Sequence, residues 1–369
     1  MTASAGLSVV IAGGHSAGHI EPAMNVADAI RRLEPSVRIT ALGTERGLDT
    51  TLIPARGYPL ELIPPVPLPR RPGKALLQTP GKLRAAVAAA AAVLDRVGAD
   101  VVVGFGGYVA VPAYLAARRR GIPIVVHEAN ARTGVANRLA ARLTTHVFTA
   151  SDSVRIRHGV AIGIPLRPAI TELDRTAARP AARSKLKLDA DRPTLLVTGG
   201  SQGAQRINGA ALGAAPAFEA AGVQVLHIAG PKNPVLAPER TAGHAPYRVL
   251  PYLETMADAY AAADFVLCRS GAMTCAELTA VGLPAAYVPL PLRGGEQRLN
   301  AEPIVAAGGG LLVSDAECTP EWVADNVVGV LLDPSRLSAM TAAARGAGTR
   351  HAGETMARAV LEVARGHHS

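Results

Sequence analysis

LSVVIAGGHSAGH, residues 7–19, decides the fold. Leu7–Ala12 is a short apolar run rich in β-branched side chains. It enters a turn, Gly13-Gly14-His15-Ser16-Ala17-Gly18, and a helical repeat follows. Pro22 is expected at the first helical position, and Met24, Ala27, Ile30 and Leu33 mark one helical face up to Pro35. A strand, a glycine-rich turn and a helix in that order open a parallel α/β unit. Further strands are expected at Arg38–Leu42, Asp100–Gly104, Pro123–His127 and His146–Thr149, with a helix over Ala85–Leu94 packed on the sheet. The pattern restarts at TLLVTGGSQGA, residues 194–204, after a charged, alanine-rich stretch from Thr171 to Arg192. Val223–Ala229, Tyr247–Leu250, Phe265–Cys268 and Ala285–Val288 continue a second parallel sheet. The expectation is an α/β chain of two Rossmann-like domains facing each other across a cleft, with ligands at the carboxyl ends of the strands. The join is placed near Gly163-Ile164-Pro165-Leu166-Arg167, and the helix after Gly353 is expected to cross back to the first domain.

Composition narrows the function. The 369 residues are 49% hydrophobic and 18% charged, enough for sizeable cores and too little charge for disorder. Four Phe, seven Tyr and one Trp are too few for the stacking platforms of a single-strand nucleic-acid binder. The formal charge of +9 points to an anionic partner. Three cysteines, Cys268, Cys275 and Cys318, form no C-x-x-C pair, which argues against a disulfide framework and for a reducing cytoplasm. No export signal or spanning segment is read: the apolar stretch Val101–Ala117 is interrupted by Gly104, Gly106, Gly107 and Pro112.

Glycines in the two turns let backbone amides approach anionic oxygens, and the following helices offer their positive ends. Neither turn is G-x-G-x-x-G, and the second strand ends in Leu42-Gly43-Thr44 without an acidic residue. A nicotinamide cofactor is therefore disfavoured, and no cofactor is expected. His19 in the first turn suits a general base, because imidazole titrates near neutrality. Ser201 offers a hydroxyl in the second turn. Ala272-Met273-Thr274-Cys275-Ala276-Glu277 opens a helix after a strand, where amides suit a phosphate and Glu277 suits ribose hydroxyls. Thr274 followed by Glu277 also fits a capping box. His127-Glu128-Ala129-Asn130 begins like a zinc motif but has Ala131 where a second His is needed. Asp189-Ala190-Asp191 reads as a solvated turn, so no metal site is expected. Arg70-Arg71-Pro72-Gly73-Lys74, continuing through Lys82-Leu83-Arg84, mixes basic and apolar residues as a surface against anionic lipid does.

Taken in order, Gly13–His19 with Glu21-Pro22, Gly104-Phe105-Gly106-Gly107-Tyr108, His127–Asn130, Gly199–Ala204, Ala272–Glu277 and Gln297-Arg298-Leu299-Asn300-Ala301 resemble the MurG family over nearly the whole chain. The resemblance implies the GT-B fold and transfer of N-acetylglucosamine from UDP-N-acetylglucosamine to undecaprenyl-diphosphate-linked N-acetylmuramoyl-pentapeptide. It implies a peripheral enzyme at the cytoplasmic face of the cell membrane, with an anionic membrane surface and other cell-wall synthesis proteins as partners, and no nucleic acid. Residues 1–165, joined by a C-terminal helix at about 350–366, would bind acceptor and membrane, and 166–349 the donor. Carried over by position, the first glycine loop falls on His15, Ser16 and Ala17, the base on His19 and the loop asparagine on Asn130. Arg167 takes the place of the arginine at the join, and Ser201 that of the second-turn serine. Leu253 is matched to the backbone reader of uracil, Ala272 to Glu277 to the nucleotide-binding helix start, and Gln297 to the donor-sugar glutamine. Where the family motif has Gly and Thr, this chain has His15 and Ser16, the latter keeping the hydroxyl. A UDP-sugar 2-epimerase, or another lipid glycosyltransferase of this fold, is the remaining alternative.

Overall fold

A central parallel strand is covered on both faces and reads as an unbroken apolar run. SVVIAG does so, and every residue of it is buried. The computed structural model describes residues 6–14, 16–66, 74–238, 244–292 and 294–367, with the side chains of 74–78 left aside. Its first sheet contains β1 (Ser8–Gly13), β2 (Arg38–Gly43), β3 (Leu60–Leu62), β4 (Val101–Gly106), β5 (Ile124–Glu128), β6 (Val147–Thr149) and β7 (Gly159–Ala161). The second contains β8 (Thr194–Thr198), β9 (Gln224–Ile228), β10 (Tyr247–Leu250), β11 (Phe265–Cys268), β12 (Ala285–Tyr287) and β13 (Gly310–Leu312). The spatial orders are β3-β2-β1-β4-β5-β6-β7 and β10-β9-β8-β11-β12-β13. All pairings are parallel.

The chain divides into two compact units, Met1–Leu166 with Arg350–Ser369, and Arg167–Thr349. In the first, the period-two pleat sorts side chains into two layers. Val9, Ile11, Val103 and Phe105 face a layer built by the helices Ala17–Leu33 and Ala352–Gly366, which contribute Met24, Ile30, Met356, Val360 and Leu361. Val10, Ala12, Val102 and Val126 face the helices Lys74–Val97 and Ala110–Arg120 through Val87, Leu94 and Tyr114. In the second unit, Leu195, Val197, Val225, Phe265 and Leu267 pack with Ile207, Phe218 and Val327.

In each sheet the strand order reverses beside the first strand, between β1 and β4 and between β8 and β11. Loops leaving neighbouring carboxyl ends diverge at such points and leave a crevice. Both glycine-rich turns lie there.

Two expectations need correction. Pro22 is not at the first helical position: the helix runs Ala17–Leu33 with Pro22 inside it. Extended Ser16 presents its carbonyl to the amides of His19 and Ile20, both at 3.1 Å, and this starts the helix a turn earlier. The N–H that proline lacks would have gone to Gly18. The second correction is the addition of β3, β7 and β13, unread from the sequence. Each is a three-residue edge strand whose burial varies, so neither a buried run nor an alternation marks it.

Candidate active site

In the first unit the turn after β1 meets the turn after β4. A Cβ on Gly107, whose φ is +81°, would stand 2.9 Å from the Gly14 carbonyl oxygen, so only glycine lets these loops touch. The His19 ring lies over Gly106, where an added Cβ would be 3.5 Å from Nε2. Its Nδ1 is 3.0 Å from Ser16 Oγ. If Nδ1–H donates to Ser16, Nε2 is the nitrogen left able to accept a proton.

Beneath these loops lies a buried polar network. Glu128, at the end of β5, accepts from Asn130 N at 2.9 Å, Asn130 Nδ2 at 3.1 Å, Gly134 N at 2.8 Å and Asn137 Nδ2 at 3.1 Å. Asn137 also accepts from Tyr114 OH at 2.9 Å. Tyr114 fills the space under Gly104, where a Cβ would be 1.9 Å from its oxygen. His127 is fully buried, its ring nitrogen Nε2 lies 2.8 Å from the Gly163 oxygen, and burial pulls its pKa down to about 4. It is therefore neutral, with Nε2–H as donor.

In the second unit the turn Gly199–Ala204 has Gly200 at φ +83° and Gly203 at φ +73°. A Cβ on Gly203 would stand 2.0 Å from the Ala229 oxygen. The turn is anchored from below: Asn208 Nδ2 donates to that same oxygen at 3.0 Å. Asn208 Oδ1 accepts from His227 Nε2–H at 3.0 Å, while Tyr247 OH donates to His227 Nδ1 at 3.0 Å. The helix Gln205–Gly213 has no side-chain cap at its N-terminus, nor has Ala272–Val281 after β11. Both ends keep amides for an anion. Glu277 Oε2 accepts from Tyr260 OH at 2.7 Å. Thr274 makes no capping box, because Gly271 holds the N-cap position and Thr274 is the third helical residue.

Residues 9–149 match the glycosyltransferase family 28 N-terminal domain and residues 194–356 its C-terminal domain. A Streptomyces avermitilis protein named UDP-N-acetylglucosamine–N-acetylmuramyl-(pentapeptide) pyrophosphoryl-undecaprenol N-acetylglucosamine transferase is 56% identical over 362 residues, 98% of this chain and 100% of that one. The crystal structure of Acinetobacter baumannii MurG superposes with a TM-score of 0.77 at 26% identity, covering 97% of this chain and 99% of that one. The chain belongs to the MurG family. The UDP-GlcNAc 2-epimerase of Neisseria meningitidis, at 16% identity and a TM-score of 0.66 over 96% of this chain and 100% of that one, shares the fold alone.

Within this MurG-family chain, Ser16, Ala17, His19 and Asn130 lie in the first unit, at the carboxyl edge of its sheet. His15 is outside the described residues. The second unit holds the others. Ser201 is exposed in its turn, and Leu253 is half-buried between β10 and the helix Met256–Ala262. Ala272, Met273, Thr274, Cys275, Ala276 and Glu277 begin the helix after β11. Gln297 accepts from Leu290 N at 2.9 Å through Oε1, which leaves its amide NH2 as the donor end. Arg167 is exposed at the start of the short helix Pro168–Thr171. Among the described residues no three His, Cys, Asp or Glu side chains form a metal-holding group. Arg70 and Arg71 lie outside the described residues, as does the side chain of Lys74, while Lys82 and Arg84 are exposed and Leu83 packs on the core. No described helix is long and apolar enough to cross a membrane. Sequence reasoning did not find Tyr114, Asn137 and Tyr260 as parts of the site. A polar residue inside an apolar helical run was the only signal they offered.

Proposed function

We propose that the chain is an inverting glycosyltransferase that moves N-acetylglucosamine from UDP-N-acetylglucosamine to the C4 hydroxyl of the N-acetylmuramoyl unit of lipid I, giving lipid II and UDP for peptidoglycan. The observation that carries this is the 56% identity, along 98% of the chain, to a protein bearing that activity's name. The second unit takes the donor. Amides at its two uncapped helix ends meet the diphosphate, and that is where the charge of the departing UDP collects. Glu277 accepts from ribose hydroxyls, the Leu253 backbone reads uracil, and Ser201 and Gln297 complete the polar contacts. Arg167, at the start of this unit, adds a cation for the diphosphate.

The first unit takes the acceptor: Ser16, Ala17 and the paired glycine turns face its diphosphate, and Asn130 orients the sugar. The C4 oxygen forms a bond to the anomeric carbon as the bond to the UDP oxygen breaks. The hydroxyl proton passes to His19 Nε2, with Nδ1–H held by Ser16. Neither Glu128 nor Glu277 is free for an epimerase's work, since Glu128 is engaged by four N–H donors and Glu277 by a phenol. The basic stretch Arg70 to Arg84 holds the first unit at an anionic membrane, on the cytoplasmic face. Incubation with UDP-N-acetylglucosamine and a short-chain lipid I analogue is expected to release UDP and form the disaccharide. Absence of both products in a folded preparation overturns the reading.

A further inference from the structure

The Glu277 carboxylate lies midway along the helix Ala272–Val281, half-buried, and it is fastened from inside the protein by a residue of another helix. Tyr260 lies in the helix Met256–Ala262 with 2% of its surface exposed, and its hydroxyl donates to Glu277 Oε2 at 2.7 Å. We propose that Tyr260 is a positioning residue of the donor site, holding the Glu277 carboxylate in the rotamer that receives the ribose hydroxyls. This rests on the reading of the second unit as the donor site.

Three observations carry it. The first is the geometry of the contact, short and made to a charged acceptor, the strong class of hydrogen bond. The second is that the two helices are clamped together by one guanidinium. Arg175 donates through Nε to Tyr260 O at 2.9 Å and through Nη2 to Ala263 O at 2.6 Å. Its Nη1 donates to Gly282 O at 2.9 Å, the residue that ends Glu277's helix. A planar fork spanning three carbonyls at two helix C-termini fixes the register that lets the phenol reach the carboxylate. The third is that burial raises the Tyr260 phenol well above its ordinary value, so it stays a donor throughout the working range. A buried tyrosine often needs no more than some partner for its hydroxyl. The positioning role differs from that bland one because it predicts an effect confined to ligands that carry ribose hydroxyls.

The test measures binding of UDP and of 2′,3′-dideoxy-UDP to the wild type, Tyr260→Phe, Glu277→Gln and the double variant, beside donor kinetics. The ring that fills the core remains in Tyr260→Phe, and a melting temperature near that of the wild type verifies its fold. Tyr260→Phe is expected to weaken UDP three- to tenfold and leave dideoxy-UDP unchanged. KM for UDP-N-acetylglucosamine rises by the same factor, with kcat within twofold. The double variant binds UDP no worse than Glu277→Gln alone. Equal affinity of Tyr260→Phe and wild type for UDP, or equal loss for both ligands, overturns the proposal while the donor reading stands, provided Glu277→Gln removes the preference for UDP. A preference for UDP that survives Glu277→Gln overturns the role of Glu277 itself, and the positioning role with it.

Discussion

Glu128→Gln tests how the loop after β5 is held. The wild-type carboxylate, 2% exposed, accepts four N–H groups, two on each oxygen. An amide turns one oxygen into a donor, so two of the four N–H groups face an NH2 whichever way it sits. Asn137 is 1% exposed and has no route to water, whereas Asn130 is half-buried and does. The amide oxygen therefore stays on Gly134 and Asn137, and Asn130 is released. A hydrogen bond to a charged group contributes about 1.5–3 kcal/mol, so two losses partly recovered by water leave a net cost of about 3 kcal/mol. At roughly 2–4 °C per kcal/mol for a unit of this size, the melting transition of the first unit falls by about 6–12 °C. Calorimetry reads that shift, and steady-state kinetics read its consequence: acceptor KM rises at least tenfold while UDP-N-acetylglucosamine affinity is unchanged. A variant with wild-type melting and wild-type acceptor KM refutes the argument that this carboxylate places Asn130.

His19→Ala is expected to lower kcat by about 10²–10⁴-fold with donor binding nearly unchanged, the usual worth of a general base. Near-normal turnover moves the base elsewhere, and a large loss in His15→Ala instead points to that neighbour. The buried imidazoles of His127 and His227 are held down to about 4, below the roughly 6.5 of an unfolded chain. The unfolded chain therefore takes up protons first on acidification. The stability tied to each histidine is complete above about pH 6.5 and is lost as pH falls toward 4, up to about 3 kcal/mol apiece. Denaturation series at pH 7 and 4.5 measure it, and His127→Gln flattens the slope unless that ring is charged in the folded state. Replacing Arg70, Arg71 and Lys74 by Ser weakens binding to anionic vesicles, each charge being worth roughly 1 kcal/mol before screening, and leaves donor affinity intact. Wild-type vesicle binding places the membrane surface elsewhere.

Nine of the ten strands read from the sequence are buried at all but at most one position, β10 being the exception, and each of the ten is present within two residues of its expected ends. A strand such as SVVIAG announces itself because both faces must be apolar, and the glycines after it because loops touch there. The edge strands β3, β7 and β13 carry no such constraint. The candidate site was legible only where chemistry and backbone geometry coincide in a short string, as at Gly13–His19 or Ala272–Glu277. Tyr114 meets Asn137 across 23 residues, and Tyr260 meets Glu277 across 17. Neither spacing has a local signature, because tertiary packing and not chain proximity brings the pairs together. Thr274 shows the converse: a correct local signal for a cap was overridden by Gly271, whose extended backbone begins the helix three residues earlier.

The helix Ala352–Gly366 belongs to the first unit's core, where Met356, Ala357, Val360, Leu361 and Ala364 are buried with residues of β1, β4 and the helix Ala17–Leu33. Yet it is made after the whole of Arg167–Thr349. On the ribosome, the unit begun first is thus the one finished last. Until this helix has left the exit tunnel, the apolar stripe that it covers has no partner, while the later unit already has every strand described in its sheet. Exposed apolar surface on an incomplete domain is where nascent chains aggregate and where chaperones bind. A truncation that removes the helix Ala352–Gly366 therefore uncovers the core of the domain at the opposite end of the sequence.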